Sequence, residues 1–258
     1  DSAVHNKGKD IKLSNHGIET VMCTPTPTPP IWLTHNHPER MYVDADGREM
    51  GHGSRQHVCT NNAYFRERAA IITEEIAKSV GNLPGVIGWQ IDNEFKCHVS
   101  ECMCTTCKTL WHEWLEKRYG TIDELNEAWG THIWSQHYHQ FDQVPQPHPA
   151  PFLHNSSLKT MYQLFSYEKI AEFSDEQAAI IRKHSKAPIT HNSTTFFHVN
   201  NERLYENLDF ASFDTYAERN NFASYLFNCD LWRNFKNGKD FWIMETSPSY
   251  IASLESYH

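Results

Sequence analysis

The fold is set by the stretch Gly88-Trp89-Gln90-Ile91-Asp92-Asn93-Glu94, an apolar and aromatic run that ends on a glutamate. A second run of the same kind, Phe241-Trp242-Ile243-Met244-Glu245, lies near the other end of the chain. Short runs of β-branched and aromatic residues are typical of buried strands. Each run therefore predicts a strand that carries one carboxylate at its carboxyl end.

Five such runs alternate with helical patterns. The predicted strands are Glu19–Thr24, Gly85–Ile91, Ala187–Ser193, Leu208–Asp214 and Phe241–Thr246. The predicted helices are Tyr64–Val80, Cys107–Tyr119 and Leu158–His184, and the buried face of the first would carry Ile71, Ile72, Ile76 and Val80. Strands that alternate with helices predict an α/β fold with a parallel sheet covered by helices.

Polar side chains follow the predicted strands where each one ends. They are Asn93-Glu94, His191-Asn192, Asp214 with Tyr216, and Glu245. In a (β/α)8 barrel the active residues come from these carboxyl ends. Glycoside cleavage needs two carboxyl groups, because one protonates the leaving oxygen while the other attacks the sugar carbon. We therefore predict that Glu94 and Glu245 face each other across a pocket.

Two proline-rich segments interrupt the pattern, and they are Thr24–Pro30 and Gln143–Pro151. Proline fixes φ and lacks an amide donor, so both segments are predicted to be stiff loops. Strand and helix patterns of the same kind continue on both sides of each segment. Neither is therefore predicted to be a domain linker.

The composition excludes two classes of protein. The chain has 258 residues and a net charge of −9 without a cluster of Lys and Arg, so a nucleic-acid binder is not expected. Its apolar runs are far shorter than the roughly 20 residues that span a bilayer, which excludes a membrane protein. The first residues lack the pattern of a secretory signal, and the number of cysteines is odd. We therefore expect a reducing, cytoplasmic compartment.

Three thiols lie close together in Cys102-Met103-Cys104-Thr105-Thr106-Cys107. Thiolates at this spacing can hold one soft metal ion, and a fourth thiolate completes a tetrahedral structural zinc site. Spacing alone leaves open whether Cys59 or Cys97 is the fourth ligand. Disulfide bonds among these thiols are the alternative. Cys23 and Cys229 lie in apolar surroundings and are predicted to be core residues.

Several separate stretches occur in an order that matches one known family. They are Thr24-Pro25-Thr26 with Trp32, Gly53-Ser54-Arg55-Gln56-His57-Val58-Cys59, Gly88 through Glu94, the Cys102, Cys104 and Cys107 cluster, Leu125-Asn126-Glu127-Ala128-Trp129-Gly130-Thr131, Trp134-Ser135-Gln136, and Met244-Glu245. Together they resemble glycoside hydrolase family 42, the β-galactosidases of clan A. The resemblance covers nearly the whole chain, and it implies a retaining β-galactosidase acting on β-galactosides or galacto-oligosaccharides.

The resemblance also implies roles for individual residues in the reaction. Glu94 would be the acid/base and Glu245 the nucleophile of a double displacement, which requires Glu94 to be protonated while Glu245 is ionised. Asn93 would hydrogen-bond the sugar 2-hydroxyl, and Tyr216 would hydrogen-bond the nucleophile. No catalytic cofactor is implied.

Further roles follow from the same resemblance. Arg55 would fix the glycone, and Trp134 would form one wall of the galactose site. The family pattern selects Cys59 over Cys97 as the fourth zinc ligand, so the metal would be held by Cys59, Cys102, Cys104 and Cys107.

The resemblance implies a (β/α)8 TIM barrel of which this chain holds only a part. The strand that ends in Glu94 matches the fourth barrel strand and the strand that ends in Glu245 matches the seventh, so the chain would cover roughly strands 3 to 7. We therefore predict that residues 1–258 form one partial catalytic domain without the first two strands, the last strand or the C-terminal domains. The missing domains include the one associated with trimerisation, so the full-length form would be a homotrimer.

Two other functions stay open on the sequence. The chain could be a non-catalytic, zinc-stabilised remnant that retains both glutamates by inheritance. It could also be a different clan-A retaining β-glycosidase, such as a β-glucosidase or mannanase, although thiolate zinc sites are not part of those patterns. Turnover of galactosides compared with glucosides and mannosides discriminates among the three.

Overall fold

A computed structural model describes residues 12–216 and 222–246 of the chain. The chain divides into two compact units. The first comprises the described residues of Asp1–Pro27, Glu67–Cys97 and Ala171–His258, and the second comprises Thr28–Arg66 and His98–Ile170.

The first unit contains a parallel sheet. Within the described residues its strands are β1 (Thr20–Cys23), β2 (Val86–Gln90), β3 (Ile189–Thr190), β4 (Asn192–Ser193), β5 (Ser212–Thr215) and β6 (Trp242–Thr246). They pair in the orders β1-β2-β3 and β4-β5-β6, and every pair is parallel. Only His191 separates β3 from β4, so the two three-stranded parts follow each other along the chain. The predicted α/β fold is confirmed, and each predicted strand overlaps an observed one.

The helices lie between the strands, as predicted. Their bounds are α1 (Ile31–Thr34), α2 (Ala63–Val80), α3 (Thr105–Tyr119), α4 (Ile122–Trp129), α5 (Ser156–Ile181), α6 (Asn201–Tyr205) and α7 (Phe222–Phe235). Short 3-10 helices span Pro38–Arg40, Ile133–Ser135 and Phe141–Gln143. Apart from Gln143, the two proline-rich segments contain no helix or strand. None of the helices in the described residues is long and apolar enough to cross a membrane.

The predicted buried face of α2 is wrong at one position. Ile71 is 44% exposed, whereas Thr73 and Ala77 are fully buried together with Ile76 and Val80. The buried residues follow each other at intervals of three and four, which keeps them on one side of an α-helix. Ile71 is two residues from Thr73, and at about 100° per residue this turns its side chain away from that stripe.

Buried aromatic rings fix the strand ends of the first unit. Trp232 on α7 packs against Phe213 of β5 with ring centroids 4.9 Å apart, and its Nε1–H donates to the carbonyl of Ser212 at 2.8 Å. Trp89 of β2 is fully buried and donates to Ser185 Oγ at 3.0 Å. Removing a ring of this size from a core costs about 3–5 kcal/mol, so these contacts hold β2 and β5 firmly.

The second unit has its own aromatic core around Trp111 of α3. Trp114 stacks on this ring at 5.5 Å, while Tyr162 and Phe165 of α5 contact it at 5.1 and 5.7 Å. The hydroxyl of Tyr162 donates to the carbonyl of Cys102 at 2.6 Å. The core therefore positions the backbone of the cysteine-rich loop.

Two cysteines do not lie where the sequence predicted. Cys23 is exposed and Cys229 is only partly buried. Cys23 ends β1, which has a neighbour on one side only in its described sheet, and Cys229 lies on the partly exposed helix α7. An apolar run identifies an element with a buried face, but the two faces of one element differ in exposure.

Candidate active site

Three carboxylates meet at the carboxyl ends of the strands in the first unit. Glu94 follows β2, while Asp214 and Glu245 are register partners in β5 and β6. One oxygen of each carboxylate lies within 4.8 Å of one oxygen of both others. Glu94 is 9% and Asp214 4% exposed, whereas Glu245 is partly exposed. The structure therefore brings together the two glutamates named from the sequence and adds a third acid.

The backbone that carries Glu94 is strained. Asp92 has φ 55° and Glu94 has φ 49°, in the left-handed region that costs about 1–2 kcal/mol for a residue with a side chain. Four successive amides here donate to side chains, and the pairs are Asp92 N to Thr24 Oγ1 at 2.7 Å, Asn93 N to Asp92 Oδ1 at 2.7 Å, Glu94 N to Asn192 Oδ1 at 3.1 Å and Phe95 N to His191 Nε2 at 3.2 Å. A strained backbone conformation persists when several surrounding contacts hold it in place, and these four hydrogen bonds hold this segment.

Asn192 at the start of β4 connects the two glutamates. Its Oδ1 accepts the amide of Glu94, so its Nδ2 must face the carboxylates. That nitrogen lies 2.8 Å from Asp214 Oδ2, 3.1 Å from Asn93 Oδ1 and 3.3 Å from Glu245 Oε1. One amide thus fixes the backbone of Glu94 and the side chain of Glu245 at once.

Two further hydrogen bonds orient the glutamates. The hydroxyl of Tyr216 donates to Glu245 Oε2, and Asn93 Nδ2 donates to Glu94 Oε2 at 3.4 Å. Burial, the hydrogen bond to Glu245 and its negative charge raise the pKa of Tyr216, so the phenol stays a neutral donor. A phenol that keeps its proton can donate to Glu245 and hold this carboxyl group in place.

Asp214 is the most perturbed acid of the cluster. Burial, followed by the negative charges of Glu245 and Glu94, raises the pKa of Asp214 to about 8. With this raised pKa, Asp214 holds a proton at pH 7, so its own negative charge is removed from beside Glu94 and Glu245.

We expect Asp214→Asn to change how stability depends on pH. The folded chain keeps a proton on Asp214 that the unfolded chain releases above about pH 4, so this group makes the wild type less stable as pH rises toward 8. The slope is at most about 1.4 kcal/mol per pH unit. Melting temperatures from pH 5 to 8 should therefore fall more steeply for the wild type than for Asp214→Asn.

The exposed residue Asp230, on α7, provides the control for that experiment. Its side chain is 76% exposed, so Asp230→Asn should leave the wild-type slope unchanged. Parallel curves for the wild type and Asp214→Asn would show that Asp214 is ionised in the folded chain.

The four predicted thiols form a cluster in the second unit. The sulfurs of Cys59, Cys102, Cys104 and Cys107 all lie within 4.8 Å of one another, and all four residues are buried. Cys59 Sγ is 3.5 Å from Cys107 Sγ and 3.6 Å from Cys104 Sγ, and none of the four forms a disulfide. Sulfurs around a tetrahedral zinc with Zn–S bonds of about 2.3 Å are about 3.8 Å apart.

Amide donors point at these sulfurs. Cys107 N lies 3.5 Å from Cys104 Sγ, Val43 N lies 3.4 Å from Cys102 Sγ, and Asn61 Nδ2 lies 3.3 Å from Cys107 Sγ. Cys104 also caps the amino end of α3, where the helix dipole favours negative charge. Within the cluster, hydrogen bonds among the sulfurs lower the pKa of Cys104 and raise the pKa of Cys59 and Cys107, and a thiolate is the form that binds a metal. The residues present therefore fit a zinc ion.

Two predicted binding residues lie in the second unit. Arg55 is partly buried, and its Nη2 lies 2.7 Å from His98 Nε2. Trp134 is 79% exposed, adopts φ 57°, and stacks on Phe152 with ring centroids 6.0 Å apart. An exposed ring held by another ring is suited to stacking on an apolar sugar face.

Comparisons with known proteins point to one family. The model of glycoside hydrolase family 42, described as beta-galactosidase, matches residues 11–258. Beta-galactosidase YesZ of Bacillus licheniformis is 70% identical over 246 residues, which cover 95% of this chain and 37% of that protein. YesZ of Bacillus subtilis strain 168 is 67% identical over 245 residues, with coverages of 95% and 37%.

The chain belongs to glycoside hydrolase family 42. The fold agrees, since the polyextremophilic beta-galactosidase from the Antarctic haloarchaeon Halorubrum lacusprofundi superposes with a TM-score of 0.87 at 35% identity. That alignment covers 93% of this chain and 39% of the haloarchaeal one. This family 42 chain thus spans about 37% of the length of the two YesZ relatives.

Three residues of this family 42 site were not assigned a role from the sequence. Asn192 and Asp214 were noted only as polar strand ends, and His191 was noted beside Asn192. Their positions after strand runs were a usable signal. Their contacts with Glu94 and Glu245 depend on how distant strands align, which the sequence pattern does not contain.

Proposed function

We propose that this chain is the catalytic part of a retaining β-galactosidase that hydrolyses terminal β-D-galactosyl linkages. The observation that carries the proposal is the approach of Glu94 and Glu245 to within 4.8 Å at the ends of β2 and β6. Retaining glycosidases place their two carboxyl groups about 5–5.5 Å apart, whereas inverting enzymes leave room for a water between them at about 6.5–9.5 Å. Membership of family 42 supplies the substrate class.

The chemistry proceeds in two displacements. Ionised Glu245 attacks the anomeric carbon while Glu94 transfers its proton to the departing oxygen, so the glycosidic bond breaks and a galactosyl ester forms. Glu94 then removes a proton from water, which attacks the same carbon and releases Glu245. Asn192 and Tyr216 hold Glu245 in line, and Asn93, whose side chain donates to Glu94, is proposed to hydrogen-bond the sugar 2-hydroxyl.

We propose sugar-binding roles for two residues of the second unit, with Arg55 bonding the glycone and Trp134 forming a wall for galactose. A guanidinium provides several donors for sugar hydroxyls, and an exposed indole offers a flat apolar surface. Family membership supports these roles, because both residues lie in stretches that match the family pattern.

We propose that the sheet is part of a (β/α)8 barrel and covers roughly strands 3 to 7. In support, residues 12–216 and 222–246 contain five strand regions that are parallel and alternate with helices, counting β3 and β4 as one region interrupted at His191. The whole protein is proposed to be a homotrimer, on family membership alone. A reducing, cytoplasmic compartment is supported by the free thiols.

We propose that Cys59, Cys102, Cys104 and Cys107 hold one structural zinc ion. When bound, zinc supplies a cross-link between the loop of Cys59 and the loop before α3, and no open position for chemistry. The spacing of the sulfurs and the amides directed at them support this assignment.

A panel of chromogenic substrates tests the activity. We expect the β-galactoside to be hydrolysed at least about 10-fold faster, by kcat/KM, than the β-glucoside or β-mannoside. Glucose differs from galactose at C4, and mannose differs at C2 and C4, so a site built for galactose leaves polar groups unpaired with either sugar. Comparable turnover of the glucoside or mannoside would favour another clan-A glycosidase. A folded chain that hydrolyses none of them would be the non-catalytic remnant.

A further inference from the structure

The turn that carries Glu94 is held at both ends by one histidine. His191 Nδ1 lies 2.7 Å from the carbonyl oxygen of Ile91, and Nε2 lies 3.2 Å from the amide nitrogen of Phe95. The left-handed residues Asp92 and Glu94 lie between these two contacts. The ring therefore spans the strained segment from the residue before it to the residue after it.

The two partners fix the protonation of the ring. The carbonyl oxygen of Ile91 can only accept, so Nδ1 of His191 must carry the hydrogen. The amide of Phe95 can only donate, so Nε2 of His191 must be unprotonated. His191 is thus a neutral imidazole in its Nδ1–H tautomer. Burial lowers the pKa of His191 to about 4, which agrees with a ring that stays neutral at ordinary pH.

Packing holds the ring in this orientation. His191 is fully buried, and it stacks on the ring of Phe95 with centroids 4.4 Å apart and planes 24° from parallel. The hydroxyl of Tyr205 donates to the carbonyl of His191 at 2.8 Å. The imidazole therefore holds the Glu94 turn at a fixed position relative to the segment that joins β3 and β4.

We propose that His191 is a positioning residue that sets where Glu94 can deliver and accept a proton. This inference rests on the proposed function, because it assigns Glu94 the role of acid/base. Asn192 holds the amide of Glu94 itself, and His191 holds the amide that follows. Without the imidazole, the carboxyl group of Glu94 can still transfer a proton, but it is no longer held in position toward the leaving oxygen.

The contact itself can be tested without any activity. Nitrogen-15 NMR of the histidine-labelled chain at pH 7, with His191 assigned by its loss in His191→Gln, should show a protonated Nδ1 and a bare Nε2. Hydrogen exchange should show protected amides at Glu94 and Phe95, and this protection should drop at least 10-fold in His191→Phe. A protonated Nε2, or unchanged protection in His191→Phe, would overturn the inference.

The consequence for catalysis is tested through the leaving group. Dinitrophenolate departs without a protonated acid, whereas an alkoxide needs one, so a displaced Glu94 should slow formation of the galactosyl ester only for the alkyl galactoside. Because kcat/KM reports this first step and not the later hydrolysis of the ester, kcat/KM for an alkyl galactoside should fall about 10- to 100-fold more than kcat/KM for the dinitrophenyl galactoside in His191→Phe, which keeps ring packing and removes both hydrogen bonds. His191→Gln, which can both donate and accept, should recover part of this loss.

A matched control separates positioning from general damage. Ser185→Ala removes a buried hydrogen bond to Trp89 in the same unit without touching the Glu94 turn, so it should lower both activities equally or not at all. Equal losses on both substrates in His191→Phe would make His191 merely structural. If the wild type hydrolyses no galactoside, the proposed function fails, while the NMR and exchange results still decide whether His191 holds the turn.

Discussion

Replacing Glu245 with alanine should lower kcat for every galactoside by roughly 10⁴-fold or more, the scale seen when a catalytic nucleophile is removed. Alanine cannot form the galactosyl ester, so the double displacement cannot take place. Glu245 is partly exposed at the end of β6, and its carboxylate is held by Tyr216 and Asn192, so its loss should leave the fold intact. Steady-state rates and a melting curve measure both parts of the expectation.

Azide identifies the role that each glutamate plays. In Glu245→Ala the anion can enter the vacated space and attack the anomeric carbon while the leaving group departs, which gives the inverted α-galactosyl azide. In Glu94→Ala a dinitrophenyl galactoside should still form the ester with Glu245. Azide then displaces that ester, and two inversions give the β-galactosyl azide. The stereochemistry of the products therefore assigns nucleophile and acid/base separately.

Glu75→Ala is a suitable control for both variants. Glu75 lies on α2 with its side chain 59% exposed and has an ion pair with Lys78 at 3.5 Å, so its removal should leave all rates near those of the wild type. Galactoside turnover that survives in Glu245→Ala would exclude Glu245 as the nucleophile. Identical azide products from the two variants would exclude the division of roles.

The sequence was sufficient to find the strands and their glutamates. Val86–Gln90 and Trp242–Thr246 are short runs of apolar and aromatic residues, and such runs have few alternatives to a strand when turns bound them. The glutamate near the carboxyl end of each run then lies at one edge of a parallel sheet. Glu94 and Glu245 lie close together because their strands run in the same direction, and the alternation of strands with helices in the sequence predicts that direction.

The sequence pattern could not predict side-chain contacts that depend on the register between strands. Asp214 faces Glu245 because β5 and β6 align these two residues, with a shift in register just before Asp214. Asn192 reaches Glu94 only because the chain between β3 and β4 places successive side chains near the β2 turn. Long-range alignment of this kind is set by packing of the whole sheet, so the residues could be named as polar ends but not given roles.

Helices α1, α4, α6 and α7 were not predicted, although α4 carries clear signals in its sequence. Thr121 accepts the amide of Glu124 while the Glu124 side chain accepts the amide of Thr121, which is a capping box, and Gly130 ends α4 at φ 61°. A Thr-x-x-Glu start and a glycine stop predict such a helix from sequence alone. The eight residues between them are too few for helical periodicity to be conspicuous.

The second large effect concerns the thiol cluster, where removal of zinc should unfold the second unit at much lower temperature. Metal binding at a structural thiolate site contributes directly to the free energy of folding. The cluster ties Cys59 to the loop before α3, and the carbonyl of Cys102 is bonded to Tyr162 of the aromatic core. Loss of the ion leaves four buried sulfurs with no common partner, and repulsion between any remaining thiolates opposes their burial.

A chelator and Cys104→Ser should therefore act alike. Because about 1 kcal/mol shifts the melting temperature of a chain of this size by roughly 2–4 °C, the loss of several kcal/mol should lower it by at least about 10 °C. Cys229→Ser provides the control, since Cys229 is a partly buried thiol in the first unit outside the cluster, and it should melt close to the wild type. Elemental analysis should give one zinc per chain for the wild type and for Cys229→Ser. A wild-type chain without bound metal, or equal melting of the two serine variants, would leave the four thiols as ordinary buried side chains.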